Sequence, residues 1–76
     1  MAKYDALRDL LAASPRPVDV TMDEIARRVG GLPPSARRRR EWWVNNVTGH
    51  VQARAWLEGG RRVEAVDLDR GVVRFS

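Results

Sequence analysis

The sequence predicts a small α+β fold in which helices come first and a β-hairpin comes last. Apolar residues recur every three or four positions near the N-terminus, glycine pairs end two helical segments, and the C-terminal segment is rich in valine. A chain of 76 residues has room for only one small core, so residues 1–76 are predicted to form a single domain.

The first helix is predicted over residues 4–13, where Tyr4, Leu7, Leu10 and Leu11 lie at helical spacing. The two prolines in the following "ASPRPVDVT" end this helix and extend the chain. The "VDV" after them is predicted to form a short edge strand.

The second helix is predicted to begin after Thr21. Thr21 is a suitable N-cap, and Glu24 three residues later completes a capping box. Gly30 and Gly31 are predicted to end the helix.

The third helix is predicted to begin at Pro34 or Ser35 and to continue through the arginines to about Val44, since proline is favoured in the first helical turn. Turn-forming residues in "NNVTGH" separate it from a fourth helix over residues 50–58, and "DRG" supplies the turn of the hairpin. This order is similar to a winged helix-turn-helix domain, with the fourth helix as a departure.

Positive charge is concentrated in the middle of the chain. The net charge is +4, but residues 27–62 carry nine arginines against two glutamates, whereas residues 1–26 and 63–76 are each slightly negative. Arginine binds phosphate through two parallel hydrogen bonds, although a GC-rich genome explains the preference for arginine over lysine equally well.

The run "SARRRREWWVNN" predicts a surface that binds double-stranded DNA. The third helix places its arginines in the N-terminal half, the part of a recognition helix that contacts bases. Arg54 on the fourth helix belongs to the same footprint, the hairpin is a possible wing, and flanking phosphate contacts are expected from Arg61, Arg62 and Arg70. The predicted DNA-binding residues are Ser35, Arg37, Arg38, Arg39, Arg40, Trp42, Asn45, Asn46, Gln52, Arg54, Arg61, Arg62 and Arg70.

Other interpretations of the same residues stay open. The arginines also fit a solvated helix face, Asn45 or Asn46 also fits a helix C-cap, and the three tryptophans fit a small core better than a stacking platform. An Arg/Trp surface that binds an acidic partner protein is the main alternative function. Binding of RNA or single-stranded DNA is a third.

The composition argues against an enzyme. The chain contains one histidine and no cysteine, and it has neither a P-loop nor a Gly-x-Ser-x-Gly motif, so no catalytic residue, metal site or cofactor is predicted. No apolar run is long enough to span a bilayer and no signal peptide is recognisable, so we expect a cytoplasmic protein that associates with the nucleoid if it binds DNA. A homodimer is consistent with DNA binding but is not required by any pattern in the sequence.

Short motifs spread over most of the chain carry a resemblance. They are Leu32 to Arg37, Trp42 and Trp43, Asn45, Gln52 and Ala53, Ala55 to Leu57, Val66 to Leu68, and Val73 to Phe75. Together with the opening "YDALRDLL", they resemble a family of small bacterial and phage domains of uncharacterised function. The resemblance implies a compact bacterial domain whose motif positions are Arg37, Trp42, Trp43, Asn45, Gln52 and Trp56. It implies that Arg38, Arg39 and Arg40 are additions of this sequence to the motif.

Overall fold

A computed structural model describes residues 2–76 and contains four short α-helices and a three-stranded antiparallel sheet. The α+β prediction is therefore confirmed. The helices are α1 (Asp5–Ala12), α2 (Met22–Val29), α3 (Pro34–Arg38) and α4 (Arg54–Leu57), and the strands are β1 (Val18–Thr21), β2 (Val63–Asp67) and β3 (Val72–Phe75). Two 3₁₀-helices, Arg40–Trp43 and Val51–Ala53, lie between α3 and α4.

The sheet joins the predicted edge strand to the predicted hairpin. Its strand order is β1-β3-β2, so β3 is central and β1 forms one edge, as the sequence predicted for "VDV". Val73 lies opposite Val20 on one side and Val66 on the other, so the valine-rich tail provides the middle of the sheet. Gly71 closes the hairpin turn with a φ of 67°, a left-handed conformation that glycine adopts without strain.

The ends of α2 are those the sequence predicted. The Thr21 hydroxyl accepts a hydrogen bond from the Glu24 backbone N–H at 3.0 Å, and Gly30 ends the helix in the left-handed conformation. Only this half of the capping box is formed, because the Glu24 carboxylate accepts hydrogen bonds from Arg27 and Arg28 instead.

The prediction of one long third helix is wrong. Helix α3 ends at Arg38, Arg39 is extended with φ −127° and ψ 123°, and a 3₁₀-helix follows. The buried Trp43 indole explains the break, because its Nε1 donates to the Ala36 carbonyl oxygen at 2.8 Å. In a continuous helix these two residues would lie about 10 Å apart along the axis, so the chain must leave the helix for this bond to form.

The predicted fourth helix over 50–58 is present, although its first turn is a 3₁₀-helix. Two tryptophans lie in the core between the helices and the sheet: Trp43 and Trp56 are buried, with ring centroids 5.8 Å apart. Their core assignment is confirmed, whereas Trp42 is only half-buried. The rest of the core is formed by Leu7, Leu11, Val20, Met22, Ile25, Val29, Ala36, Ala53, Ala55, Val73 and Phe75.

Within residues 2–76, each helix is too short to cross a membrane. The same residues contain no cluster of three or more His, Cys, Asp or Glu side chains suited to a metal ion.

Candidate functional site

The arginine run is exposed along its whole length, but the break at Arg39 divides it between two helical segments. Arg37 and Arg38 lie in the last turn of α3, and Arg40 begins the 3₁₀-helix. Because Arg39 is extended, the four side chains do not follow a single helical rotation. They therefore do not form the single recognition-helix face that the sequence predicted.

Two of the four arginines have carboxylate partners. Arg37 Nη1 lies 3.0 Å from the Asp23 carboxylate, and Arg39 Nη1 lies 3.7 Å from that of Glu41. Arg38 and Arg40 form no ion pair with any residue in the described range 2–76. The uncompensated positive charge of the run therefore belongs to Arg38 and Arg40.

A shallow groove brings Arg37 together with the hairpin turn. Its volume is about 380 Å³, and Arg37 and Arg70 both line it. The Met22 N–H donates to the Gly71 carbonyl oxygen at 2.8 Å, which fixes the turn against the start of α2. The groove also contains the carboxylates of Asp23 and Asp69, so its charge is mixed.

The hairpin turn itself is well ordered by local hydrogen bonds. Asp67 Oδ1 accepts from the Arg70 backbone N–H at 3.0 Å, and the Asp67 carbonyl oxygen accepts from the Gly71 N–H at 2.8 Å. These bonds occupy backbone groups and leave the Arg70 side chain exposed at the tip of the hairpin.

Other surface arginines are held by carboxylates away from the groove. A hydrogen bond from the Arg74 guanidinium lowers the pKa of Asp19, and the same pairing raises the pKa of Arg74. A hydrogen bond from Arg28, supported by the charge of Arg27, lowers the pKa of Glu24. Each of these arginines therefore faces an acid.

The prediction that Arg61 contacts a flanking phosphate does not fit its position. Its side chain is 3% exposed, and its guanidinium donates to the carbonyl oxygens of Leu11, Ser14, Pro15 and Ser76. Burial lowers the pKa of Arg61, with a smaller contribution from the nearby charge of Arg16. Arg61 joins the C-terminal end of α1 to the end of the sheet, so it has a structural role.

Two polar residues that were predicted to contact DNA instead form hydrogen bonds within the domain. Gln52 is buried and its Nε2 donates to the Trp42 carbonyl oxygen at 2.8 Å. Asn45 Nδ2 donates to the Val63 carbonyl oxygen, and its Oδ1 accepts from the Val63 N–H and from Trp56 Nε1. Both polar groups of Asn45 and the Nε2 group of Gln52 are therefore used inside the domain.

The C-cap interpretation of the asparagines is wrong, because Val44 occupies the cap position after the 3₁₀-helix. Asn46 is exposed, and its Oδ1 accepts from the Thr48 N–H at 2.9 Å in a local turn.

Ser35 is half-buried in the first turn of α3. Trp42 packs edge-on against Tyr4, with ring centroids 5.8 Å apart, so one side of the indole is covered.

Two of the predicted phosphate contacts lie away from the groove. Arg54 is exposed on α4 and donates to Glu58 at 3.0 Å. Arg62 precedes β2 and therefore lies at the opposite end of the hairpin from Arg70, about 16 Å away for a strand of this length. The structure brings Arg37 and Arg70 to one groove and leaves Arg54 and Arg62 outside it.

Sequence reasoning missed Asp23 as a member of the site. An acidic residue in the first turn of a helix is explained by the helix dipole, so nothing local signals a second partner. Its pairing with Arg37 depends on where the chain places α3 relative to the first turn of α2, which only the structure reveals.

Comparison with known proteins identifies a family. Its model, described as a domain of unknown function (DUF7662), matches residues 4–76. No curated protein and no solved structure matches the chain. Since the match covers nearly all of its 76 residues, the chain belongs to the DUF7662 family.

Proposed function

We propose that this domain binds double-stranded DNA, chiefly through the phosphate backbone. The observation that carries the proposal is the position of Arg37 and Arg70 on one groove. Arg38 and Arg40, exposed and without an ion pair among residues 2–76, follow Arg37 in the chain. Two separate parts of the chain thus present guanidinium groups to the same region of space.

Phosphate is the anion that suits this arrangement. A guanidinium group matches two phosphate oxygens geometrically, and Arg38 and Arg40 need not release a carboxylate before binding. Arg37 and Arg39 do have carboxylate partners, but exposed ion pairs contribute only about 0–1 kcal/mol. The polyanionic backbone can therefore replace Asp23 and Glu41 at little cost.

The short α3 favours contacts with phosphates over reading of base sequence. Five residues of α-helix extend only about 7.5 Å, and the chain then turns away at Arg39. Phosphate contacts fix position on the duplex, whereas discrimination needs side chains that reach base edges. We therefore expect weak dependence on sequence.

The order of elements supports a winged arrangement around the groove. Helices α2 and α3 are joined by a turn that begins with Gly30, and the β2-β3 hairpin follows later in the chain. In this arrangement the hairpin tip carrying Arg70 is the wing. The α2-α3 unit supplies the opposite side through Arg37.

The test is fluorescence anisotropy with a labelled random duplex between about 50 and 200 mM salt, where phosphate contacts lose most affinity. Five phosphate contacts, from Arg37 to Arg40 and Arg70, give a log-log slope of about −4.5. An Arg38→Ala/Arg40→Ala variant is expected to bind more weakly and to have a slope less negative by about 1.8. The matched control is Arg27→Ala/Arg28→Ala, which removes the same charge from arginines already paired with Glu24.

Three results would overturn the proposal. The first is absence of binding by the folded wild type at the lowest salt. The second is equal weakening by both double variants, which would show a response to net charge alone. The third is a preference for single strands with quenching of tryptophan fluorescence, which would indicate base stacking. A partner complex that survives nuclease treatment would instead support the acidic-protein alternative.

A further inference from the structure

The α1/α4 face includes an exposed valine, Val51, that borders a cavity. Val51 is 70% exposed and Val47 is 45% exposed, and they are the only exposed large hydrophobic residues within the described range 2–76. Val51 borders a cavity of about 410 Å³ whose lining includes Tyr4 and Ala55. Single exposed valines are ordinary, but one beside a concave apolar cavity suggests a contact surface.

The charges around this cavity have both signs: the basic residues are Lys3, Arg8 and Arg54, and the acidic residues are Asp5 and Glu58. Arg8 lies 3.6 Å from Asp5 on α1, and Arg54 lies 3.0 Å from Glu58 on α4. Because α1 packs against α4, the two ion pairs border the same cavity. A surface with both signs can face its own copy, whereas the arginine run would repel its own copy.

We propose that the α1/α4 face binds a second copy of this chain in a two-fold symmetric dimer. In such an interface each patch contacts the same patch of the other copy, so Val51 of each copy enters the cavity of the other. Arg54 of each copy then faces Glu58 of the other. The proposal uses a different surface from the groove of Arg37 and Arg70, and it holds whether or not the domain binds nucleic acid.

The size of the face sets the expected strength. A standard interface covers about 800 Å² on each partner, which is about one sixth of the 4719 Å² surface of this chain. One valine, one cavity and a charged rim form a smaller contact than this. A contact of this size belongs to the weak and transient class of interfaces, so we expect a reversible dimer that dissociates on dilution between about 1 mM and 10 µM.

The first measurement is sedimentation equilibrium of the purified, nucleic-acid-free protein from about 10 µM to 1 mM, the range over which the dimer is expected to dissociate. Val51→Asp places a charge at the centre of the contact and is expected to weaken association at least about tenfold, while its exposure keeps the fold intact. Ala65→Asp adds the same charge on the exposed side of the hairpin and is the control. Tryptophan fluorescence verifies that both variants are folded.

The second measurement tests the symmetry directly. Arg54→Glu makes both α4 positions acidic, and Glu58→Arg makes both basic, so each variant alone is expected to be monomeric. A mixture of the two restores complementary charges, so it is expected to form a heterodimer with an affinity close to that of the wild type. The proposal is overturned if the wild type stays monomeric at about 1 mM, if Val51→Asp associates like Ala65→Asp, or if the mixture stays monomeric while the wild type dimerises.

Discussion

Replacement of Arg61 by methionine is predicted to destabilise the domain by about 2–3 kcal/mol. The guanidinium donates to four carbonyl oxygens, and the bond to Leu11 at 2.7 Å is buried. A buried carbonyl left without a donor costs about 1–3 kcal/mol, and the three partly exposed ones cost less because water can reach them. Removing the buried charge offsets part of this loss, since burial of the guanidinium is itself unfavourable.

This loss is large for so small a protein. A chain of 76 residues has an expected stability of about 4–11 kcal/mol, so the variant loses between a fifth and three quarters of it. The corresponding decrease in Tm is about 8–24 °C. Arg61→Lys is expected to lie between the wild type and Arg61→Met, because one ammonium group has three donors and cannot reach all four carbonyls.

Urea unfolding followed by tryptophan fluorescence provides the assay, because Trp43 and Trp56 become exposed on unfolding. The control is Arg62→Met, whose exposed side chain should leave stability within about 0.5 kcal/mol of the wild type. If Arg61→Met is as stable as Arg62→Met with an unchanged m-value, the four hydrogen bonds only compensate for the buried charge, and the reasoning is refuted.

Asn45→Ala should lower the free energy of unfolding, measured in urea, by about 2–4 kcal/mol, because it removes three partly buried hydrogen bonds. A loss below about 0.5 kcal/mol would contradict a structural role for the Asn45 side chain. In an NMR titration the pKa of Asp19 should lie below the usual carboxyl range, and it should return towards that range in Arg74→Gln. The ion pair stabilises the fold at pH values above the ordinary carboxyl pKa, and this stabilisation is lost as the pH falls through the lowered pKa of Asp19. Equal pKa values of Asp19 in the wild type and the variant would rule out the pairing. Asp23→Asn should increase the affinity for duplex DNA several-fold at about 50 mM salt by freeing Arg37, and unchanged affinity would remove Arg37 from the proposed contacts.

The local elements were predictable because local chemistry specifies them. Thr21 and Gly30 define both ends of α2 through capping and a left-handed C-terminus, and these signals lie within a few residues of the helix. The end of α3 was not predictable in this way. It depends on a buried bond between Trp43 and Ala36, which arises only when the core packs.

The candidate site was predictable in part. The exposure of Arg37 to Arg40 and of Arg70 agrees with the sequence prediction, because charged runs without apolar periodicity stay at the surface. The arrangement of Arg37 and Arg70 around one groove depends on the contact between the hairpin turn and α2, which joins residues about 50 positions apart in sequence. Neither charge pattern nor turn chemistry encodes a contact of that range.

Arg61 and Arg62 show why arginine content alone is a poor guide to function. They are adjacent and chemically identical, yet one is buried among carbonyl oxygens and the other is exposed. The Arg61 guanidinium reaches the carbonyl oxygens of Leu11 and Ser14 at the end of α1, whereas the Arg62 side chain faces solvent. Only an arginine that is both exposed and free of a carboxylate can attract an anion at full strength. The proposed function therefore depends on Arg38, Arg40 and Arg70 more than on the net charge of +4.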